Sequence, residues 1–313
     1  MFIFTAVLRR GRRDITDQIY LKPRAKINVS LAVGWKRPDG YHELTTVMQT
    51  LILHDALFMK KIHAETVKLS VNLAFLPTNE KNLAYRAVNY MRERFETGGG
   101  VYMELIKNIP VSAGLGGGSA DCAAALIGMR ELYGLPVSDG EMLKIAETFG
   151  ADVPFCMTQG TALARGKGEI LEKLPPHPFA HVLLARPPVI VSTADVFNNY
   201  TENISEKRPD AEKVAAGIRA GDLELIAEGI GNDLEAVTAK KYPQISRIKG
   251  MMLEYGAVCS SMTGSGPCVF GYFINKKDAR AAASEIREKE RVKEIFLTGI
   301  FNETEGNNLI RSD

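Results

Sequence analysis

The residues able to do chemistry fall into four short segments of this 313-residue chain. Pro110, Val111, Ser112, Ala113, Gly114, Leu115, Gly116, Gly117, Gly118, Ser119 and Ala120 form a run in which four of five consecutive residues, Gly114 to Gly118, are glycine. Glycine reaches positive φ at no steric cost, so successive backbone N–H groups of such a loop can turn inward as an anion-binding nest. Lys26 and Asn28 lie two apart in Ala25–Val33, which reads as a strand. A repeat of about 6.6–6.8 Å for every two residues lets both point into one site, while Ile27, Val29, Leu31 and Val33 fill a core. A solvated polar face accounts for the same alternation. Asp152, in Phe149–Phe155, suits either a helix N-cap followed by Pro154 or a base between apolar segments. Tyr41 and His42 follow the turn signal Pro38-Asp39-Gly40. An aromatic face beside a hydrogen-bonding ring suits a flat heterocycle, although packing for Tyr41 and a turn hydrogen bond for His42 explain them equally well.

These groups need a scaffold, and the surrounding pattern supplies one. Val101–Ile106 alternates as a strand, and Ala120–Met129 carries helix formers with an apolar face. Strand, glycine loop and helix therefore follow in the order that sets the positive end of a helix dipole at the loop, where phosphate oxygens are stabilised. The loop is not of Walker A type, since no lysine follows Gly118-Ser119. A dinucleotide fold is also poorly matched: the acidic residue near the required spacing, Glu141, falls in a helical stretch, Ser138–Phe149. Further along, helices are predicted near Ala211–Ala220, Leu223–Gly229, Gln244–Tyr255 and Asp278–Lys289, and strands near Val182–Ala185, Val258–Cys259, Cys268–Phe273 and Glu294–Thr298. Two α+β domains are the economical reading, 19–164 and 165–301. Residues 1–18 are read as a dispensable extension, with a translation start downstream of Met1 as one option, and 302–313 as a tail.

Composition narrows the function classes. Hydrophobic residues make up 45% and charged residues 24%, with no apolar run near the 18 needed to span a bilayer. A net charge of +2 argues against a protein whose main task is neutralising nucleic acid. The expectation is a cytoplasmic protein acting on a small molecule, with no nucleic-acid or membrane partner, as a monomer or weak homodimer. Cys122, Cys156, Cys259 and Cys268 sit singly, as reduced buried thiols do. His177 and His181 have the i, i+4 spacing of a helical metal pair, but Pro176 and Pro178 flank the first and the run into Val182 reads as a strand.

The run Pro110–Ala120 resembles the phosphate-binding signature of the galactokinase, homoserine kinase, mevalonate kinase and phosphomevalonate kinase (GHMP) superfamily. Ser260–Cys268 resembles its C-terminal glycine motif and Pro23–Asn28 its N-terminal motif. The resemblance implies a two-domain α+β GHMP kinase fold: an N-terminal domain with a βαβ nucleotide-binding unit of left-handed type, and a C-terminal α/β sandwich. It also implies ATP as donor, Mg2+ brought with ATP and met by Ser119, Asp152 as proton acceptor, and Lys26 as the cation that orients Asp152 and counters charge on the transferring group. Ala25–Leu44, continued by Thr46–Leu51, Gly150–Gly168 and Gly231–Glu235, is similar to one family within it, the 4-diphosphocytidyl-2-C-methyl-D-erythritol kinases of non-mevalonate isoprenoid synthesis. That similarity covers roughly 19–298. It implies phosphorylation of the substrate's 2-hydroxyl, recognition of cytosine by Tyr41 and His42 with Phe197 on the other side of the base, a substrate contact from Asn28, and an adenine-side contact from Asn82. Trp35 departs from the pattern, standing where glycine is common, and Val191–Phe197 is less similar than the loop. A homoserine- or mevalonate-class kinase, or a non-catalytic nucleotide- or RNA-binding module, are the alternative readings.

Overall fold

The computed structural model describes residues 17–201 and 208–302. The predicted extension, apart from Asp17 and Gln18, and the predicted tail, apart from Asn302, lie outside them. In chain order the elements are β1 (Gln18–Leu21), β2 (Arg24–Lys36), β3 (His42–His54), β4 (Ala56–Ile62), β5 (Val67–Val71), α1 (Leu83–Phe95), β6 (Gly100–Ile106), α2 (Gly117–Tyr133), α3 (Asp139–Phe149), α4 (Val153–Thr158), β7 (Thr161–Gly166) and β8 (Ile170–Lys173). There follow β9 (His181–Arg186), α5 (Thr193–Asn198), α6 (Ala211–Ala220), α7 (Leu223–Gly229), β10 (Gly231–Asn232), α8 (Glu235–Lys241), α9 (Gln244–Glu254), β11 (Cys259–Met262), β12 (Val269–Phe273), α10 (Lys276–Lys289) and β13 (Glu294–Gly299).

Three sheets organise the chain. The first has the order β1-β4-β6-β5, with β5 and β6 parallel and joined through α1, which makes the expected βαβ unit. Its apolar face is closed by α1 and the alanine-rich α2, where Ala123, Ala124, Ala125 and Leu126 are fully buried. The second sheet, β10-β2-β3-β7-β8, is antiparallel except for β10, which joins β2 in parallel from the far half of the chain. The third, β11-β12-β9-β13, is antiparallel throughout. Ala25, Ile27 and Val29 of β2 share one apolar cluster with Val182 and Leu184 of β9 and with Phe270 and Tyr272 of β12. A common core thus joins the two halves, and β8 and β10 carry chain from beyond residue 164 into the second sheet.

Local chemistry explains the helix ends that matter for the site. Ser138 and Glu141 form a capping box that starts α3, so Glu141 is a helix-initiating residue. The helix after the glycine loop begins at Gly117, earlier than the predicted Ala120. Helix propensity disfavours glycine there, but a first turn needs only backbone, and packing of the following alanines outweighs the cost.

The two histidines do not pair on a helix. His177 is buried in a loop, with Nδ1 2.7 Å from the Pro178 carbonyl and its ring edge-on to Tyr272, while His181 opens β9. Burial pushes the His177 imidazole down to about 4. The folded state therefore binds this proton less readily than the unfolded chain. The associated stability is present above pH 6.5 and is lost as pH falls toward 4, by up to roughly 3 kcal/mol. Urea unfolding across that window should show a shallower acid loss for His177→Gln than for the unsubstituted protein; equal slopes would remove His177 from the acid response.

Candidate active site

The polar face of β2 is not solvated. Lys26, Asn28 and Ser30 are as buried as their apolar neighbours, Lys26 being 4% exposed. A lysine placed there needs partners. The Lys26 ammonium donates to Asn28 Oδ1 at 2.8 Å and lies 3.1 Å from Asp152 Oδ2. Asn28 passes the network on, its Nδ2 donating to Thr46 Oγ1 at 2.9 Å. Asp152 sits at the N-cap position of α4, yet among the described residues its side chain makes no capping bond, so the N-cap role does not account for it. Its carboxylate turns to Lys26 instead and keeps 36% of its side chain exposed, leaving an oxygen accessible to a bound molecule.

The glycine loop runs past this pair. Ser112, Gly114 and Gly116 have φ of 54°, 76° and 67°, whereas Ala113 and Leu115 between them do not enter the left-handed region. Alternation of hand is what turns successive N–H groups to one side. Ala113 and Leu115 meanwhile point into the core shared by both halves, so the loop is anchored at the positions that are not left-handed. At its end, the N–H groups of Gly117, Gly118 and Ser119 precede the first helical hydrogen bond, which Ala120 makes to the Gly116 carbonyl at 2.9 Å. Three such donors and the helix dipole are able to hold an anion.

Two close approaches explain why side chains are excluded. A Cβ on Gly116 would meet Lys26 Cγ at 2.8 Å, and one on Gly114 would meet the Thr263 carbonyl at 2.3 Å. The Lys26 N–H donates to the Leu115 carbonyl at 3.0 Å, which ties the loop to β2. From the C-terminal glycine motif, Thr263 Oγ1 accepts from the Asn28 N–H at 2.9 Å and lies 3.4 Å from the Gly114 carbonyl. We expect Gly116→Ala to lower kcat by roughly tenfold to a hundredfold, because the φ of 67° and the displaced lysine act together. Steady-state kinetics checks this, and a kcat equal to that of the unsubstituted protein would show that the loop yields freely.

Three residues that sequence reasoning missed lie directly beneath the loop. Lys107 at the end of β6 is buried against Asp55 and Asp121, with 2.6 Å from its ammonium to Asp121 Oδ2. Asp55 Oδ1 also accepts the N–H of Ile109 at 2.8 Å, and the Lys107 ammonium would stand 3.3 Å from a Cβ on Gly117. Burial pushes the Asp121 carboxyl well above the usual carboxylate range. Burial opposes the charge of Lys107, but Asp121 and Asp55 together outweigh it and hold the ammonium above the ordinary lysine range. Asp121 is thus a carboxyl that its burial pushes toward the protonated form. Their only signal in the sequence was charge inside otherwise apolar segments.

The remaining predicted residues fall on two flanks. Asn82 caps α1, its Oδ1 accepting from the Ala84 N–H and its Nδ2 donating to the Pro77 carbonyl, both at 3.0 Å. Leu83 beside it lies 3.9 Å from a Cβ on Gly118, so this cap adjoins the loop. On the other flank His42 stacks on Phe197 at 5.6 Å between ring centroids, with Tyr200 edge-on to His42. That is direct ring contact, and a base held between the two rings requires them to part. Tyr41 is 59% exposed and its ring stands 5.7 Å from the Lys167 ammonium. The four cysteines are all buried and unpaired, and burial raises their thiols, Cys259 and Cys268 to about 12, which makes them chemically inert. Among the described residues no cluster of three or more His, Cys, Asp or Glu is placed to hold a metal, and no helix is long and apolar enough to cross a membrane.

A buried lysine paired with a partly exposed aspartate beside the start of a helix, on this arrangement of sheets, fits a small-molecule kinase of the GHMP class. Models of the GHMP kinases N terminal domain and the GHMP kinases C terminal region match residues 82–160 and 214–291. A 4-diphosphocytidyl-2-C-methyl-D-erythritol kinase of Lachnospira eligens is 42% identical over 285 residues, covering 91% of this chain and 99% of the relative. A crystal structure of 4-(cytidine 5'-diphospho)-2C-methyl-D-erythritol kinase superposes with a TM-score of 0.78 at 30% identity, over 91% of this chain and all of that one. A homoserine kinase of Cytophaga hutchinsonii shares the fold, with a TM-score of 0.74 at 20% identity over 93% of this chain and 98% of its own. The chain belongs to the 4-diphosphocytidyl-2-C-methyl-D-erythritol kinase family.

Proposed function

We propose that this protein transfers the γ-phosphoryl group of ATP to the 2-hydroxyl of 4-diphosphocytidyl-2-C-methyl-D-erythritol. The observation that carries the reading is the 3.1 Å contact between Lys26 and the accessible carboxylate of Asp152, beside the start of α2. The loop Gly114–Ser119 holds the phosphates through backbone N–H groups. Asp152 takes the proton as the acceptor oxygen bonds to the γ-phosphorus; the bond to the bridging oxygen breaks and ADP leaves. Lys26, fixed by Asn28, orients Asp152 and counters charge on the transferring group without any rearrangement during the reaction. Mg2+ would arrive on the ATP phosphates and supply further charge neutralisation there, with the Ser119 hydroxyl as its protein ligand. Tyr41, His42 and Phe197 read the cytosine, Asn28 adjoins the acceptor and Asn82 the adenine side.

The acceptor is tested by an ATP-consumption assay over cytidylyl methylerythritol, homoserine, mevalonate and galactose. We expect turnover with the first alone. Turnover with one of the other three instead would keep the kinase chemistry and overturn the acceptor.

A further inference from the structure

The Lys26 ammonium acts on Asp152 and on a transferring phosphoryl group from the place where Asn28 holds it. An asparagine side chain has two ends of nearly equal shape, a carbonyl oxygen that accepts and an amino group that donates. With the amino end toward Lys26, two donors would face each other in a buried place. We propose that Thr46 is a positioning residue for phosphoryl transfer: its hydroxyl fixes which end of the Asn28 amide meets Lys26, and so where the ammonium stands. The inference rests on the role given to Lys26 above.

The hydrogen bonds run in one direction only. A backbone carbonyl accepts and cannot donate, and the Ser30 carbonyl lies 2.6 Å from Thr46 Oγ1. A hydroxyl has one proton, so that of Thr46 goes to Ser30. The lone pairs of the same oxygen then face Asn28 Nδ2 at 2.9 Å and accept from it. With its amino group committed to Thr46, Asn28 presents Oδ1 to the Lys26 ammonium at 2.8 Å. The orientation of the whole chain thus starts from a backbone carbonyl.

The fold removes the alternatives. Asn28, Ser30 and Thr46 are all buried, so water does not readily replace either bond of the hydroxyl. Thr263 Oγ1 accepts the Asn28 N–H at 2.9 Å, which holds the backbone and leaves the side-chain amide as the freedom that Thr46 controls. The β2–β3 register shifts between Asn28 and Ser30, and Thr46 pairs with Leu31 just beyond the shift. Such an irregularity re-aims side chains; here it sets one hydroxyl within reach of both the Asn28 amide and the Ser30 carbonyl. Since those two bonds engage the hydroxyl, its effect on Lys26 passes through Asn28.

The experiment is steady-state kinetics of the full-length enzyme with ATP and cytidylyl methylerythritol, at folded fractions matched by circular dichroism. Thr46→Val keeps the branched shape without the hydroxyl, and Thr46→Ala lacks both the hydroxyl and the second methyl. Each should lower kcat by about tenfold, the effect of one lost hydrogen bond in a buried network, with KM for ATP within about twofold. Thr46→Ser, which returns the hydroxyl, should restore most of kcat. In an Asn28→Ala background, Thr46→Val should lower kcat by no more than about twofold further, because the group it acts through is gone. A full tenfold loss in that background overturns action through Asn28. Lys26→Met, measured in parallel, separates the two readings. If it abolishes turnover while Thr46→Val and Thr46→Ala leave kcat unchanged, the role of Thr46 alone is overturned. If Lys26→Met leaves kcat unchanged, the role of Lys26 falls and that of Thr46 with it.

Discussion

Replacing Asp152 by asparagine should lower kcat by about 10²–10⁴-fold, the range that a positioned general base contributes. Asparagine keeps the shape of the side chain but cannot take the hydroxyl proton. The proposed phosphate donors are backbone N–H groups of the loop and of α2, none of which depends on residue 152. ATP affinity, measured by calorimetry, should therefore stay within about twofold. Lys26 would keep its hydrogen bond to Asn28, so its position should change little. A fall in kcat with unaltered ATP binding marks a group that acts on the reacting atoms. Undiminished turnover would remove Asp152 as the base.

The second large effect is on stability. Lys107→Met should destabilise the fold by about 3–5 kcal/mol, because it leaves the buried carboxyls of Asp55 and Asp121 without the ammonium that both contact. Asp121→Asn should stay within about 1 kcal/mol of the unsubstituted protein, since asparagine is nearly isosteric with the protonated form toward which burial pushes that carboxyl. The pH dependence follows from the same state. The folded chain holds the Asp121 proton to higher pH than the unfolded chain does, so stability declines as pH rises from the ordinary carboxylate range through the raised pKa. Asp121→Asn should flatten that decline. Urea unfolding of both variants across pH separates these outcomes: equal, small losses for the two would mean that the cluster carries no buried charge. The cluster links the turn at Asp55, the end of β6 and the first turns of α2, so its loss should also loosen the phosphate loop and raise KM for ATP.

The elements were largely legible because their signals are local. Alternation marked β2 and β6, the predicted helical stretch Ser138–Phe149 matches α3, and the predicted C-terminal helices and strands differ from the observed ones by a few residues at their ends. The start of α2 was misplaced because glycine's poor propensity hides a first turn that tertiary packing of Ala123–Leu126 enforces. Ser112 was not recognisable as left-handed, since nothing in a serine demands that conformation; its place in the alternation with Gly114 and Gly116 does.

By itself, the order of residues determined a glycine loop set between a strand and a helix, the strand that offers Lys26 and Asn28 on one face, and an aspartate suited either to cap a helix or to act as a base. These follow from backbone freedom and side-chain period, which act over a few neighbouring residues. Tertiary structure alone decided that the polar face of β2 is buried, that Lys26 meets Asp152, that Thr263 reaches the loop, that His42 stacks on Phe197 and that Lys107 lies under Gly117. Which faces the sheets bury against one another sets those contacts, and an alternating pattern reads the same whether its polar side meets water or a second layer of protein.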